Sequence, residues 1–136
     1  MTKKELAAEH HASGCNCAQA VSCAFCAEAG ADEETMKALT RRYGGGAYKY
    51  CGAILGAVAA MNMQLGDLDP DDPAALDGAA SDKARELLRR FGEKNGSVFC
   101  RELKGRDTGV VLRACRGCVE DAAEIAEDIL KNGVKG

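Results

Sequence analysis

Apolar residues recur at helical spacing along most of the chain, with charged residues on the opposite faces. Two segments show this most clearly, one with Ala84, Leu87, Leu88 and Phe91 and the other with Val119, Ala122, Ala126 and Ile129. No run of alternating apolar and polar residues rich in β-branched side chains indicates a strand. The pattern predicts an all-α fold, with residues 1–136 forming a single-domain bundle of about five or six helices.

Polar caps and glycines divide this pattern into separate helices. Five helices are predicted over residues 2–12, 17–28, 33–43, 51–65 and 82–92. A sixth is predicted to begin between residues 108 and 115 and to end at about 131. Asn16 and Asp32 are residue types favoured at N-caps, and Gly30 is typical of the position just after a helix. Residues 66–82, with several aspartates and two prolines, are predicted to be a solvated connection.

Three consecutive glycines, residues 44–46, precede the most apolar of these helices. Each glycine in a helix interior costs about 1 kcal/mol relative to alanine, so this segment is predicted to be a turn. Cys51 then stands at a helix start, where unpaired N–H groups and the helix dipole lower the pKa of a thiol. We expect Cys51 to be reactive. Glycines on both sides of it are predicted to admit a cofactor or a packing partner: Gly45, Gly46, Gly52 and Gly56.

The helical pattern also predicts which cysteines point inward. On helical wheels, Cys17, Cys51 and Cys115 share a face with apolar residues, and Cys100 lies on a short turn before the last helix. These four sulfurs are expected to meet at one site. Cys23 and Cys26 face about 120° and 180° away from Cys17, so we expect them to stay apart from it. Cys118 lies on the flank of the last helix.

Composition narrows the classes of function. The net charge of −3 gives no basic field for nucleic acid, and the longest apolar run, residues 51–61, is too short for membrane insertion. The first residues are charged, without the apolar core of a signal peptide, so a cytoplasmic location is expected. Thiols stay reduced there, so the eight cysteines favour metal, cluster or redox chemistry, or buried thiols, over a disulfide framework.

Four motifs occur in a fixed order over residues 6–130. They are Asn16-Cys17-Ala18-Gln19-Ala20-Val21, then Gly45-Gly46 ahead of Cys51-Gly52-Ala53-Ile54-Leu55-Gly56-Ala57, then Cys100-Arg101-Glu102-Leu103, and Cys115 four residues before Val119. In this order the chain resembles the redox-active protein family with the C_GCAxxG_C_C signature. The resemblance implies a small helical protein whose redox-active or metal-binding residues are Cys17, Cys51, Cys100 and Cys115.

The same resemblance implies a cofactor. A similar cysteine domain occurs with split-Soret-type cytochromes, where an iron–sulfur site has been suggested. The first expectation is therefore that four thiolates hold a [2Fe–2S] cluster for electron transfer. The chain has no Cys-x-x-Cys-His motif, so no c-type haem is expected.

Two alternatives stay open at the level of sequence. One is a cofactor-free thiol/disulfide oxidoreductase in which two of the four cysteines cycle. The other, less expected, is a zinc-binding or metal-sensing module. Whether the chain is an enzyme, whether its redox partner is a protein or a small thiol, and whether it forms a homodimer are also open. So are the roles of seven further residues: His10, His11, Cys15, Cys23, Cys26, Arg101 and Cys118.

Overall fold

The computed structural model describes residues 2–44, 50–65 and 82–132, and of residues 62–65 and 82 only the helical backbone. The helices are α1 (Lys3–Ala12), α2 (Cys17–Cys23), α3 (Cys26–Ala29), α4 (Glu33–Thr40), α5 (Gly52–Leu65), α6 (Asp82–Asn95), α7 (Cys100–Leu103) and α8 (Cys115–Asn132), with a 3₁₀ turn at Arg41–Tyr43. The described residues form no strand, which confirms the all-α prediction. None of these helices is long and apolar enough to cross a membrane.

The helix count exceeds the predicted five or six because of two short elements. Six helices have seven or more residues, and α7 is a single turn. The helix predicted over 17–28 is also interrupted: the N–H groups of Ala24 and Phe25 bond to the carbonyls three residues earlier, those of Val21 and Ser22. This tightening ends α2 at Cys23, and α3 begins at Cys26.

The predicted helix boundaries rest on caps that the structure contains. Asn16 Oδ1 accepts the Gln19 N–H at 2.9 Å, and Gln19 Oε1 accepts the Asn16 N–H at 3.0 Å, which completes a capping box on α2. Asp32 accepts the N–H of Thr35 at 2.7 Å at the start of α4. Gly30 follows α3 with φ 72°, the left-handed conformation that glycine adopts without strain.

The core is built around α2 and α5, which cross at very short range. Residues 51–61 are all buried. A Cβ added at Gly56 would lie 2.3 Å from the carbonyl oxygen of Ala18, so only glycine allows this approach of the two backbones. The expectation that glycines beside Cys51 admit a packing partner is thereby confirmed at Gly56.

The helices α7 and α8 bring Cys100, Cys115 and Cys118 towards the start of α5. α8 packs on α1, α2 and α5, and its buried face includes Val119, Ala122 and Ala126. The Cys51 N–H donates to the Val98 carbonyl at 2.9 Å, and Tyr50 and Phe99 form an isolated antiparallel bridge. These bonds place the start of α7 beside the start of α5.

Candidate functional site

A pocket lies where four helices begin. Five cysteines line it, and we call it the five-cysteine pocket: Cys17, Cys51, Cys100, Cys115 and Cys118. Cys17, Cys100 and Cys115 are the first residues of α2, α7 and α8, and Cys51 directly precedes α5. The structure thus brings together the four cysteines predicted to meet and adds Cys118. Gly52, Leu103, Lys104 and Arg113 complete the lining.

The pocket has a buried side and an open side. Cys51, Cys100 and Cys118 are 4%, 7% and 3% exposed, whereas Cys17 and Cys115 are half-buried. All five are free thiols. A molecule from solvent therefore meets the sulfurs of Cys17 and Cys115 first.

Among the thiols whose pKa is shifted, that of Cys51 ionises most easily. The Cys118 thiol can donate a hydrogen bond to its sulfur, in competition with the Arg113 carbonyl oxygen 3.8 Å away, and this neighbour lowers the pKa of Cys51 more than burial raises it. The N–H groups of Ala53 and Ile54 and the charge of Lys104 lower it further, so that the pKa is about 7. The direction expected from a helix start is confirmed. The largest cause, however, is a neighbouring thiol.

The other perturbed thiols of the pocket shift in the opposite direction. Burial raises the pKa of Cys17 to about 12, with further increases from the nearby sulfurs of Cys115 and Cys51. The pKa of Cys118 is also raised, first by its hydrogen bond to Cys51 and then by burial. At neutral pH, Cys51 therefore ionises far more readily than Cys17 or Cys118.

A lysine supplies positive charge to the pocket. Burial acts to lower the pKa of Lys104, but the sulfurs of Cys100 and Cys115 overcome this effect, and the pKa is raised. Arg113 also lines the pocket, but unlike Lys104 it is paired with a carboxylate: its Nε lies 3.2 Å from Oδ2 of the buried Asp121. The charge of Arg113 is thus compensated by a carboxylate, while that of Lys104 is directed at the thiols.

The sequence pattern did not indicate Lys104, and it placed Cys118 only on the flank of the last helix. Lys104 follows Cys100 by four residues, the spacing at which side chains share a helix face. Cys118 follows Cys115 by three residues, so it also lies on the same side of the helix. Arg101, the cation considered beside Cys100, is exposed and pairs with Asp107.

The predicted glycines have different roles. Gly52 lines the pocket, where an added Cβ would lie 3.0 Å from the Tyr43 carbonyl oxygen and 3.4 Å from Cys17 Cβ. Gly56 is not among the lining residues and lies at the close contact with α2, while its expected cofactor role stays a prediction. Gly45 and Gly46 lie outside the described residues.

The remaining candidates lie away from the pocket. Cys15, Cys23 and Cys26 are not among its lining residues, as expected for Cys23 and Cys26. Nδ1 of His10 lies 3.7 Å from a carboxylate oxygen of Glu33. His11 is half-buried on α1 and does not line the pocket.

The donor set of the pocket consists of thiols, which are soft ligands suited to iron–sulfur clusters and zinc. Within residues 2–44, 50–65 and 82–132, no group of three His, Cys, Asp or Glu side chains already stands in metal-binding geometry. The donor atoms fit a thiolate-bound cofactor in their chemistry, although the cysteine side chains do not stand in ligating positions in the described part of the chain.

Comparison with known protein families gives a match over most of the chain. The sequence model of the family described as "Putative redox-active protein (C_GCAxxG_C_C)" matches residues 15–129. This span covers most of the chain and contains every cysteine of the five-cysteine pocket. No curated protein and no solved structure matches the chain.

Proposed function

Because the chain belongs to the C_GCAxxG_C_C family of redox-active proteins, we propose that the five-cysteine pocket is its redox site and holds an iron–sulfur cluster. The observation that carries this proposal is the convergence of five cysteine side chains on one pocket. A dithiol site needs two sulfurs, whereas a [2Fe–2S] cluster takes four. The cluster would supply one-electron transfer to or from a partner protein.

Four residues would serve as ligands in this proposal: Cys17, Cys51, Cys100 and Cys115. Cys51 is the natural first ligand, since its pKa of about 7 leaves much of it ionised at neutral pH. Cys17 must lose a proton that burial holds tightly, so loading releases protons and is favoured as the pH rises.

Two further residues would set the reduction potential. Cys118 can donate a hydrogen bond to the Cys51 sulfur, and hydrogen bonds to ligand sulfurs are among the factors that tune such sites. Lys104 places a positive charge beside Cys100 and Cys115. Because reduction adds negative charge, this lysine favours the reduced form. Lys104→Gln should therefore lower the potential.

Anaerobic purification followed by an absorption spectrum and metal analysis tests the proposal. We expect visible charge-transfer bands with about two iron and two acid-labile sulfide per chain. Cys100→Ser should lose both. Cys23→Ser, which removes a buried thiol outside the pocket, should retain them. Colourless, metal-free protein after anaerobic reconstitution would refute the proposal, and zinc near one per chain would favour a zinc module instead.

A dithiol mechanism is the second candidate, and the contact between Cys51 and Cys118 favours it. The Cys51 thiolate would attack a substrate disulfide and release one thiol. Cys118 would then attack the mixed disulfide, release the second thiol and form a Cys51–Cys118 bond, with two electrons passing to the substrate. In metal-free protein, Cys118→Ala should trap the mixed disulfide on Cys51. Full retention of the cysteines as free thiols under oxidising conditions would exclude this mechanism.

A further inference from the structure

A second pair of sulfurs lies at the opposite end of α2 from the five-cysteine pocket. Cys17 begins α2 and Cys23 ends it, so their Cα atoms are about 9 Å apart along the helix axis. Cys26 follows at the start of α3. Neither Cys23 nor Cys26 lines the pocket. The pair therefore forms a separate group that the proposed cluster does not use.

The backbone between the two cysteines holds their sulfurs together. Ala24 and Phe25 form a turn, and Phe25 is only 2% exposed, which anchors that turn in the core. The two sulfurs are close enough for each to shift the pKa of the other, and both residues are free thiols. The Cα atoms at the two ends of a turn lie within about 7 Å of each other, and disulfides span about 4.4–6.8 Å. The turn therefore places the two Cα atoms in the range of separations that disulfides span.

We propose that Cys23 and Cys26 form a second redox site, a dithiol that exchanges with small organic disulfides. The Cys26 sulfur attacks the substrate disulfide, forms a mixed disulfide and releases the first small thiol. Cys23 then attacks the Cys26 sulfur, forming the Cys23–Cys26 bond and releasing the second small thiol. The two cysteines lose two electrons and two protons, and the substrate disulfide gains both as two thiols.

Burial determines the order of attack. Cys26 is half-buried and open to a small reagent, whereas Cys23 is 5% exposed, with its Sγ 4.0 Å from the carbonyl oxygen of Glu33 on α4. Burial also raises the pKa of both thiols, that of Cys23 to about 12. Both thiols are therefore protonated at neutral pH, so the resting pair is a dithiol and exchange proceeds through a thiolate fraction that grows as the pH rises. Cys26 is the sulfur that the substrate meets first because it is the more exposed of the two.

The test uses the full chain, reduced and metal-free, incubated with bis(2-hydroxyethyl) disulfide and 2-mercaptoethanol at increasing ratios. Free thiols are then alkylated, and chymotryptic cleavage after Phe25 separates Cys23 from Cys26. We expect the two resulting peptides to stay joined until a reductant is added. Cys23→Ser should instead increase the 2-hydroxyethylthio adduct on Cys26 by more than about fivefold, because the resolving thiol is gone.

Cys15→Ser is the matched control, since Cys15 is also half-buried and near α2, and it should leave the Cys23–Cys26 link intact. The proposal is overturned if both thiols stay free at the most oxidising ratio, or if either one links to Cys15 or Cys17. Mapping in the unsubstituted chain decides this even where a variant does not fold. Iron content is measured separately, so failure of this dithiol and failure of the proposed cluster are distinguishable.

Discussion

Removal of the Cys118 thiol should make Cys51 a weaker acid and a slower nucleophile at neutral pH. The hydrogen bond that Cys118 can donate is the largest cause of the low Cys51 pKa. In Cys118→Ala, burial remains and is opposed only by the N–H groups at the start of α5 and by Lys104. We therefore expect the pKa of Cys51 to rise from about 7 towards its ordinary value of 9.0.

The size of the effect follows from two opposing factors. At pH 7, a rise in pKa from about 7 to 9.0 reduces the thiolate fraction from about one half to about 1%, or ~50-fold. The more basic thiolate is intrinsically about 6- to 10-fold more nucleophilic towards disulfides. The net rate at pH 7 should thus fall about 5- to 8-fold. Above roughly pH 8 the order should reverse, because both thiolates are then substantially populated.

The assay measures the rate at which Cys51 forms a mixed disulfide in reduced, metal-free protein between pH 6 and 10. Trypsin is expected to release residues 50–83, in which Cys51 is the single cysteine, so mass spectrometry follows this thiol alone. Cys23→Ala is the control, because it removes an equally buried thiol that does not contact Cys51. If the pH–rate profile of Cys118→Ala coincides with that of the control, the assigned role of Cys118 is wrong.

Three further predictions concern stability, each measured by urea unfolding. Gly56→Ala should destabilise the fold by about 2 kcal/mol or more, because the added methyl group meets the backbone of α2. Gly92→Ala is the control: its added methyl group would lie 3.5 Å from Val98, an ordinary contact, so this variant should be neutral or more stable by up to ~1 kcal/mol. Asn16→Ala should cost about 1–2 kcal/mol, since it removes a capping box, and an unchanged midpoint would contradict this. Stability should fall from about pH 9 to 12, because Cys17 and Cys23 stay protonated in the folded chain but ionise when it unfolds, and Cys23→Ala should reduce that loss.

Helix starts were predictable from the sequence because capping is a local interaction. Asn16 and its partner Gln19 are three residues apart, and Asp32 caps α4 through the N–H of Thr35 at the same spacing. The inward faces of Cys17 and Cys115 follow equally from helical periodicity. What this local chemistry could not predict is the end of α2, because Ala24 and Phe25 are acceptable helix residues and the burial of Phe25 depends on the packing of the whole core.

The composition of the pocket was predictable only in part for a related reason. Cys118 is a pocket residue because α8 approaches α5 at a distance that lets its thiol reach Cys51. The distance between α8 and α5 cannot be read from the sequence pattern of α8 alone. Lys104 likewise acquires its role from the thiols of Cys100 and Cys115, which belong to two different helices.

The pocket also shows that a helix start does not by itself make a thiol acidic. Cys51 occupies the position before α5, where its own sulfur takes the N–H groups of Ala53 and Ile54. Cys17 occupies the first position of α2, where the side chain of Asn16 already takes the free N–H of Gln19. Burial and neighbouring sulfurs then raise the pKa of Cys17 to about 12. The neighbouring Cys118 thiol first, and then the N–H groups at the start of α5, therefore make Cys51 ready to ionise, whereas burial holds the proton on Cys17 until a ligand or an oxidant removes it.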